Sequence, residues 1–165
     1  MATLFGNLRG LALLLGTAAA TPVAGASESH TPQEARNLAV AQAAFERWRQ
    51  GTGSPYDLLA DDVRWTITGR SAASKEYPSR EAFMAEVIRP FNARMREPLR
   101  PTLRQILADG EHVAIFFDAQ GMARDGLPYV NTYAWLWRMR DGKIVEARAY
   151  YDSIAFDELW QRVRP

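Results

Sequence analysis

Two aspartates and a set of aromatic residues have the types and placement for proton chemistry in this 165-residue chain. Asp152 follows a strand-like segment, Lys143 to Tyr151, and stands just ahead of a helical run; Asp118 lies on a second strand-like segment that begins at His112. A carboxyl group held among Trp65, Ile67, Phe116 and Trp135 is desolvated, which raises its pKa toward neutrality. Such a group moves protons near pH 7. Two of them in contact split their pKa values, one acting as acid and the other as base. Two-carboxylate mechanisms hold the pair within about 8 Å. Tyr129, Tyr133, Tyr150 and Asn131 are the residues that can donate a hydrogen bond to an enolate or carbonyl oxygen.

Each residue has a plainer alternative. Asp152 stands where a helix N-cap stands. Asp118 can pair with Arg148 or Arg124. The stripe from Tyr133 to Trp137 also reads as core, and His112, beside the Asp109-Gly110 turn, as surface. Asn131 is a strand amide that must be hydrogen-bonded if buried.

Composition removes other chemistries. The chain has no cysteine and two histidines, His30 and His112, so thiol nucleophiles and zinc or iron sites with His-x-His spacing are excluded. No metal and no cofactor is expected. A Ser-His-Asp site lacks its Gly-x-Ser-x-Gly elbow. Residues 1–26 read as a secretory signal: Arg9, an apolar run from Leu11 to Ala20, and Ala24-Gly25-Ala26 as a cleavage site. That run is shorter than the roughly 20 residues a bilayer span needs. The expected location is periplasmic or secreted, with no membrane contact after cleavage. Without Arg9 the chain has 19 basic and 19 acidic residues, a balance that does not suit nucleic acid. Arg94, Arg96, Arg100 and Arg104 form the densest basic group, read as the solvated outer face of a sheet in preference to an anion site.

The positioning elements follow from periodicity. Thr31-Pro32-Gln33-Glu34 opens a helix whose Leu38, Ala41, Phe45 and Trp48 face a core, ended by Gly51 and Gly53. Ser54-Pro55 starts a short second helix. Asp62 to Thr68 alternates as a strand, residues 69–78 form a loop, and Ser79 caps a third helix that ends or kinks before Pro90. Strands are expected at Thr102–Ala108, His112–Met122, Tyr129–Met139 and Lys143–Tyr151, the last two joined by the hairpin signal Asp141-Gly142. Ser153 to Arg164 closes as a helix. The order α-α-β-α-β-β-β-β-α gives one α+β domain over residues 27–165.

The segments Tyr129-x-Asn131-x-Tyr133, Arg140-Asp141-Gly142-Lys143-Ile144, Ala149-Tyr150-Tyr151-Asp152 and Phe156-x-x-x-Trp160 resemble the SnoaL-like branch of the nuclear transport factor 2-like superfamily. The likeness runs from Leu38 to Val163. It implies a cone-shaped, curled sheet, mixed or antiparallel, covered by helices around a mostly apolar pocket, and a homodimer. By position, Asp152 and Asp118 match the two aspartates of the superfamily's epoxide hydrolases. Phe116 replaces their arginine, and Trp65 and Ile67 replace their water-holding tyrosine and asparagine, which disfavours epoxide hydrolysis. Two readings remain. One is a metal-free isomerase, cyclase or dehydratase acting on a hydrophobic carbonyl compound; the other is a non-catalytic exported binding protein for a small apolar ligand.

Overall fold

In a computed structural model that describes residues 30–165, helices cover one face of a six-stranded mixed sheet. The segment read as a secretory signal, residues 1–26, lies outside the described residues. Helix α1, Pro32–Gln50, starts on the expected capping box: Thr31 accepts from the Glu34 backbone while the Glu34 carboxylate takes the Thr31 N–H. It ends on Gly51, whose left-handed φ of 76° suits a residue without a side chain. Ala41, Ala44 and Phe45 are buried, with Asn37 rather than Leu38 beside them. Asn37 and Glu34 both grip Gly110, at the turn between two strands.

A 3-10 helix, Pro55–Leu58, leads into β1, Leu59–Ile67. The loop that follows contains a two-residue strand, β2 (Glu76–Tyr77), antiparallel to β1. Two residues cannot reveal a period, so that strand had no sequence signal. The third helix also departs from expectation. It starts at α2, Arg80–Phe83, widens through a π turn at Met84–Ile88, and continues as α3, Arg89–Arg94, past Pro90. The Arg89 N–H reaches back five residues to the Met84 carbonyl. This wider turn accommodates a proline that lacks its own N–H and would crowd a regular turn.

Strand β3, Met95–Asp109, is far longer than the expected segment and includes Pro98 and Pro101. It is an edge strand, where a missing N–H costs no ladder bond on the open side. Three register shifts against β4 (His112–Ala123) curl it. Strands β5, Pro128–Arg140, and β6, Lys143–Tyr151, meet at a two-residue turn where Asp141 and Gly142 both have positive φ, 50° and 73°. That is the primed geometry a tight hairpin prefers. The sheet order is β2-β1-β6-β5-β4-β3, parallel only between β1 and β6. Helix α4, Ser153–Arg162, follows β6 directly.

The concave face is aromatic. Phe45 of α1 packs edge-on against Phe117 and Trp135, and Phe83 stacks on Trp65 at 4.4 Å. Phe91 bridges Tyr129 and Phe156 at the other end. Each fully buried large side chain of this kind contributes about 1.5–3 kcal/mol.

A candidate binding cavity

Between the sheet and the helices lies a cavity of about 440 Å³, a volume typical of small-molecule sites. Trp65 and Ile67 of β1, Tyr133 and Trp135 of β5, and Ala149 and Tyr151 of β6 supply its floor. They lie on one face because alternate residues of a strand do. Trp48, Tyr56, Phe83 and Phe91 supply its roof. The walls are flat: Trp48 lies parallel to Trp135 at 6.0 Å and 9°, and Trp65 stands edge-on to Trp135 at 5.3 Å and 86°.

The structure does not bring the two aspartates together. Asp118 projects from the convex face of β4, where Arg104 Nε and the Thr132 hydroxyl reach it at 2.7 and 2.8 Å. These hydrogen bonds, Thr132's first, hold its carboxyl below the ordinary carboxylate range, opposite to the rise that an apolar pocket would impose. Its partner is Arg104 rather than Arg148 or Arg124. Phe116 shares that outer face, 41% exposed, and so does Tyr150, 44% exposed. Asp152 is the N-cap of α4, its carboxylate accepting from the Ile154 and Ala155 N–H groups. It is exposed and does not line the cavity.

These differences have one origin. In Val113-Ala114-Ile115-Phe116-Phe117 both alternate sets are apolar, so the period gives strand but not side. Ile115 and Phe117 face inward. On β6 the inward set is Ala147, Ala149 and Tyr151, which puts Tyr151 in the cavity in place of Tyr150. Two adjacent tyrosines gave no signal to choose between them.

Tyr129 and Asn131 are buried on the inner side, outside the cavity lining, and serve it from behind. Asn131, 3% exposed, donates through Nδ2 to both the Asp152 carbonyl and the Tyr129 hydroxyl oxygen, each at 2.9 Å. Its Oδ1 accepts the Asp152 N–H. The Tyr129 and Tyr133 hydroxyls are 2.9 Å apart. Either hydroxyl can donate to the other; with Tyr129 as the donor, its proton is paired and that of Tyr133 is left for a ligand acceptor. Tyr133 itself lines the cavity. Burial, reinforced by Tyr129, pushes the Tyr133 phenol well above its ordinary pKa, so it stays a proton donor. Tyr151, also raised by burial, is held at 2.9 Å from the Ser71 hydroxyl. Tyr56 is a third phenol of the lining that burial raises.

No aspartate or glutamate is among the described residues that line the cavity; its charged groups are Arg96 and Arg100. The arrangement can hold a flat apolar molecule and donate hydrogen bonds to its oxygen.

The sequence profile of the SnoaL-like domain matches residues 37–147. The chain belongs to that family. Among solved structures, this SnoaL-like domain is similar to a protein from a soil-derived mobile gene cassette, at 18% identity and a TM-score of 0.64 over 78% of this chain and 98% of that one. It is also similar to a protein of Jannaschia sp. CCS1 described as a SnoaL-like polyketide cyclase, at 17% identity and a TM-score of 0.58 over 78% and 94%. A hypothetical protein of Catenulispora acidiphila with a ketosteroid isomerase-like fold, in complex with trimethylamine, matches at 23% identity and a TM-score of 0.52 over 67% and 83%. Among curated proteins no significant match is found. These likenesses establish the nuclear transport factor 2-like fold of the SnoaL-like domain; no helix among the described residues is long and apolar enough to cross a membrane.

Proposed function

We propose that this SnoaL-like domain binds one small, flat, mostly apolar molecule with an oxygen acceptor, and that neither Asp118 nor Asp152 acts on it. The observation that carries this reading is the cavity's chemistry: aromatic walls, phenol donors and no carboxylate among the described lining residues. A proton-transfer site of the kind expected from the sequence needs a base in contact with the ligand. Here both candidate bases are engaged elsewhere, one capping a helix and one paired with Arg104. The test is native mass spectrometry of the protein as purified, followed by binding of any recovered molecule to Asp118→Asn and Asp152→Asn. Unchanged affinity supports the reading; loss of binding in either variant refutes it.

A second reading keeps an isomerase, cyclase or dehydratase on a hydrophobic carbonyl compound. It draws on the Tyr133 proton, which would stabilise charge developing on a carbonyl oxygen. A change in the retention time or absorbance spectrum of the recovered molecule on incubation with the protein, with loss of one water in the dehydratase case, decides for it if it disappears in Tyr133→Phe.

We infer export with cleavage after Ala26, supported by the signal-like sequence and tested by the intact mass of the protein from the periplasmic fraction. Self-association through the convex face is supported by exposed Leu107, Phe116, Leu136 and Tyr150 on adjoining strands. Light scattering of the wild type and of Phe116→Arg tests it, the dimer being expected in the first alone.

A further inference from the structure

The mouth of the cavity is cationic, and this bears on the ligand's charge. Arg96 and Arg100 line it from β3, with no acidic residue among the described lining residues to oppose them. Arg96 is mostly exposed, and its nearest carboxylate, Glu97, stands at 3.7 Å, beyond hydrogen-bond reach. Arg100 is held in place. Its Nη1 donates to the Trp48 and Arg49 carbonyls at the end of α1, at 3.1 and 3.3 Å.

Gly51 makes that position available. A side-chain carbon there would stand 2.4 Å from Arg100 Nη1 and 2.8 Å from Nη2. The guanidinium therefore packs against the bare backbone of Gly51, its Nη1 held by the helix end, with Nε and Nη2 lacking protein acceptors among the described residues. Arg104, four residues further on, has no such freedom because Asp118 takes it. The four arginines of the basic cluster are thus divided: Arg94 is buried against Trp160, Arg104 is paired with Asp118, and Arg96, with Glu97 at 3.7 Å, and Arg100 line the cavity.

We propose that the molecule this cavity accepts is an aromatic carboxylate, its ring between the Trp48, Trp65 and Trp135 walls and its carboxylate at the mouth against Arg96 and Arg100. This inference rests on the binding reading above and adds the ligand's charge. A planar guanidinium fork matches a carboxylate geometrically. The low-dielectric wall behind the mouth keeps the attraction from being fully screened.

The test uses 2-naphthoic acid, its neutral amide 2-naphthamide and the cation 2-naphthylmethylamine, with binding followed by tryptophan fluorescence and calorimetry. The wild type should bind the acid at least about tenfold more tightly than the amide, a free-energy gap of about 1.4 kcal/mol. The amine should bind more weakly than either. In Arg96→Gln with Arg100→Gln the ratio of acid to amide affinity should fall to about one. Because Arg100 also secures the end of α1, Arg100→Lys in the Arg96→Lys background keeps the charge and should keep most of the preference. Equal binding of acid and amide by the wild type overturns the charge assignment and leaves the binding reading standing. Binding of none of the three overturns both.

Discussion

Asn131 pairs with the backbone of Asp152 through both ends of its side-chain amide, Nδ2 to the carbonyl and Oδ1 to the N–H, each at 2.9 Å. An amide is needed because one partner must give a proton and the other accept one. The pairing carries the β5 face onto the first residue beyond β6, and its remaining proton orients Tyr129.

Replacing Asn131 by alanine removes the partners of an N–H, a carbonyl and a phenol, about 1–3 kcal/mol for each buried group left unsatisfied. Asn131→Asp should be at least as harmful, since a carboxylate oxygen would face the Asp152 carbonyl. Chemical denaturation of both variants checks this; a change under about 0.5 kcal/mol in either contradicts the pairing's structural weight.

Asp152→Ala should cost about 1 kcal/mol and Asp152→Asn a few tenths, because asparagine caps a helix about as well as aspartate. Ligand binding should follow neither substitution. Titration of any bound molecule against both variants distinguishes a cap from a catalytic group, which could not tolerate the loss of its ionisable oxygen.

Tyr133→Phe should lower ligand affinity about tenfold, the cost of one hydrogen bond to a ligand oxygen. It should lower stability as well, since Tyr129 loses its hydroxyl partner. Tyr150→Phe, on the convex face, should leave affinity unchanged. The pair of isothermal titrations checks both statements.

Burial, with Glu86 adding to it, pushes the Tyr77 phenol up to about 12, and burial likewise raises Tyr56, Tyr133 and Tyr151. A phenol whose folded pKa stands above its unfolded value of about 10 contributes stability that is fully present below that pH. The contribution disappears as pH rises through the folded value. In a Tyr150→Phe background, tyrosinate absorbance above pH 10 should therefore rise together with loss of the far-ultraviolet circular dichroism signal. Ionisation well before unfolding would contradict the burial of these hydroxyls.

Gly121 faces β3 so closely that an added side-chain carbon would meet the Met95 methyl at 2.7 Å and the Glu97 carbonyl at 2.9 Å. Gly121→Ala should cost about 1–3 kcal/mol, as overpacking does, with backbone on one side unable to yield. Because Met95 lines the cavity, a shift in binding should accompany the stability loss. Thermal unfolding with and without ligand measures both.

The long periodic segments were legible. Thr31-Pro32 with Glu34 fixed the start of α1, and Asp141-Gly142 fixed a hairpin, because each depends on local chemistry alone. The family resemblance carried the curled sheet and its pocket. What the chain did not disclose was side. Phe116 and Phe117 are equally apolar, as Tyr150 and Tyr151 are equally phenolic, so alternation left the choice of face to long-range packing. Four of the ten candidates, Trp65, Ile67, Tyr133 and Trp135, line the cavity. Tyr56, Tyr151, Arg96 and Arg100 do so without having been singled out for it. The two arginines were read with the rest of the basic cluster as a solvated outer face because bulges in β3, invisible in a two-residue period, break the parity of that strand.

The strand that bears those arginines has a neighbour on one side only. Its exposed residues Arg96, Glu97, Pro98 and Arg100 take no part in the β1-β6-β5-β4 pairings. The strands that floor the cavity and the exposed residues at its β3 margin are therefore separable in heredity. A single scaffold of this kind can change its clientele by altering a few residues at one margin, leaving its folding determinants undisturbed.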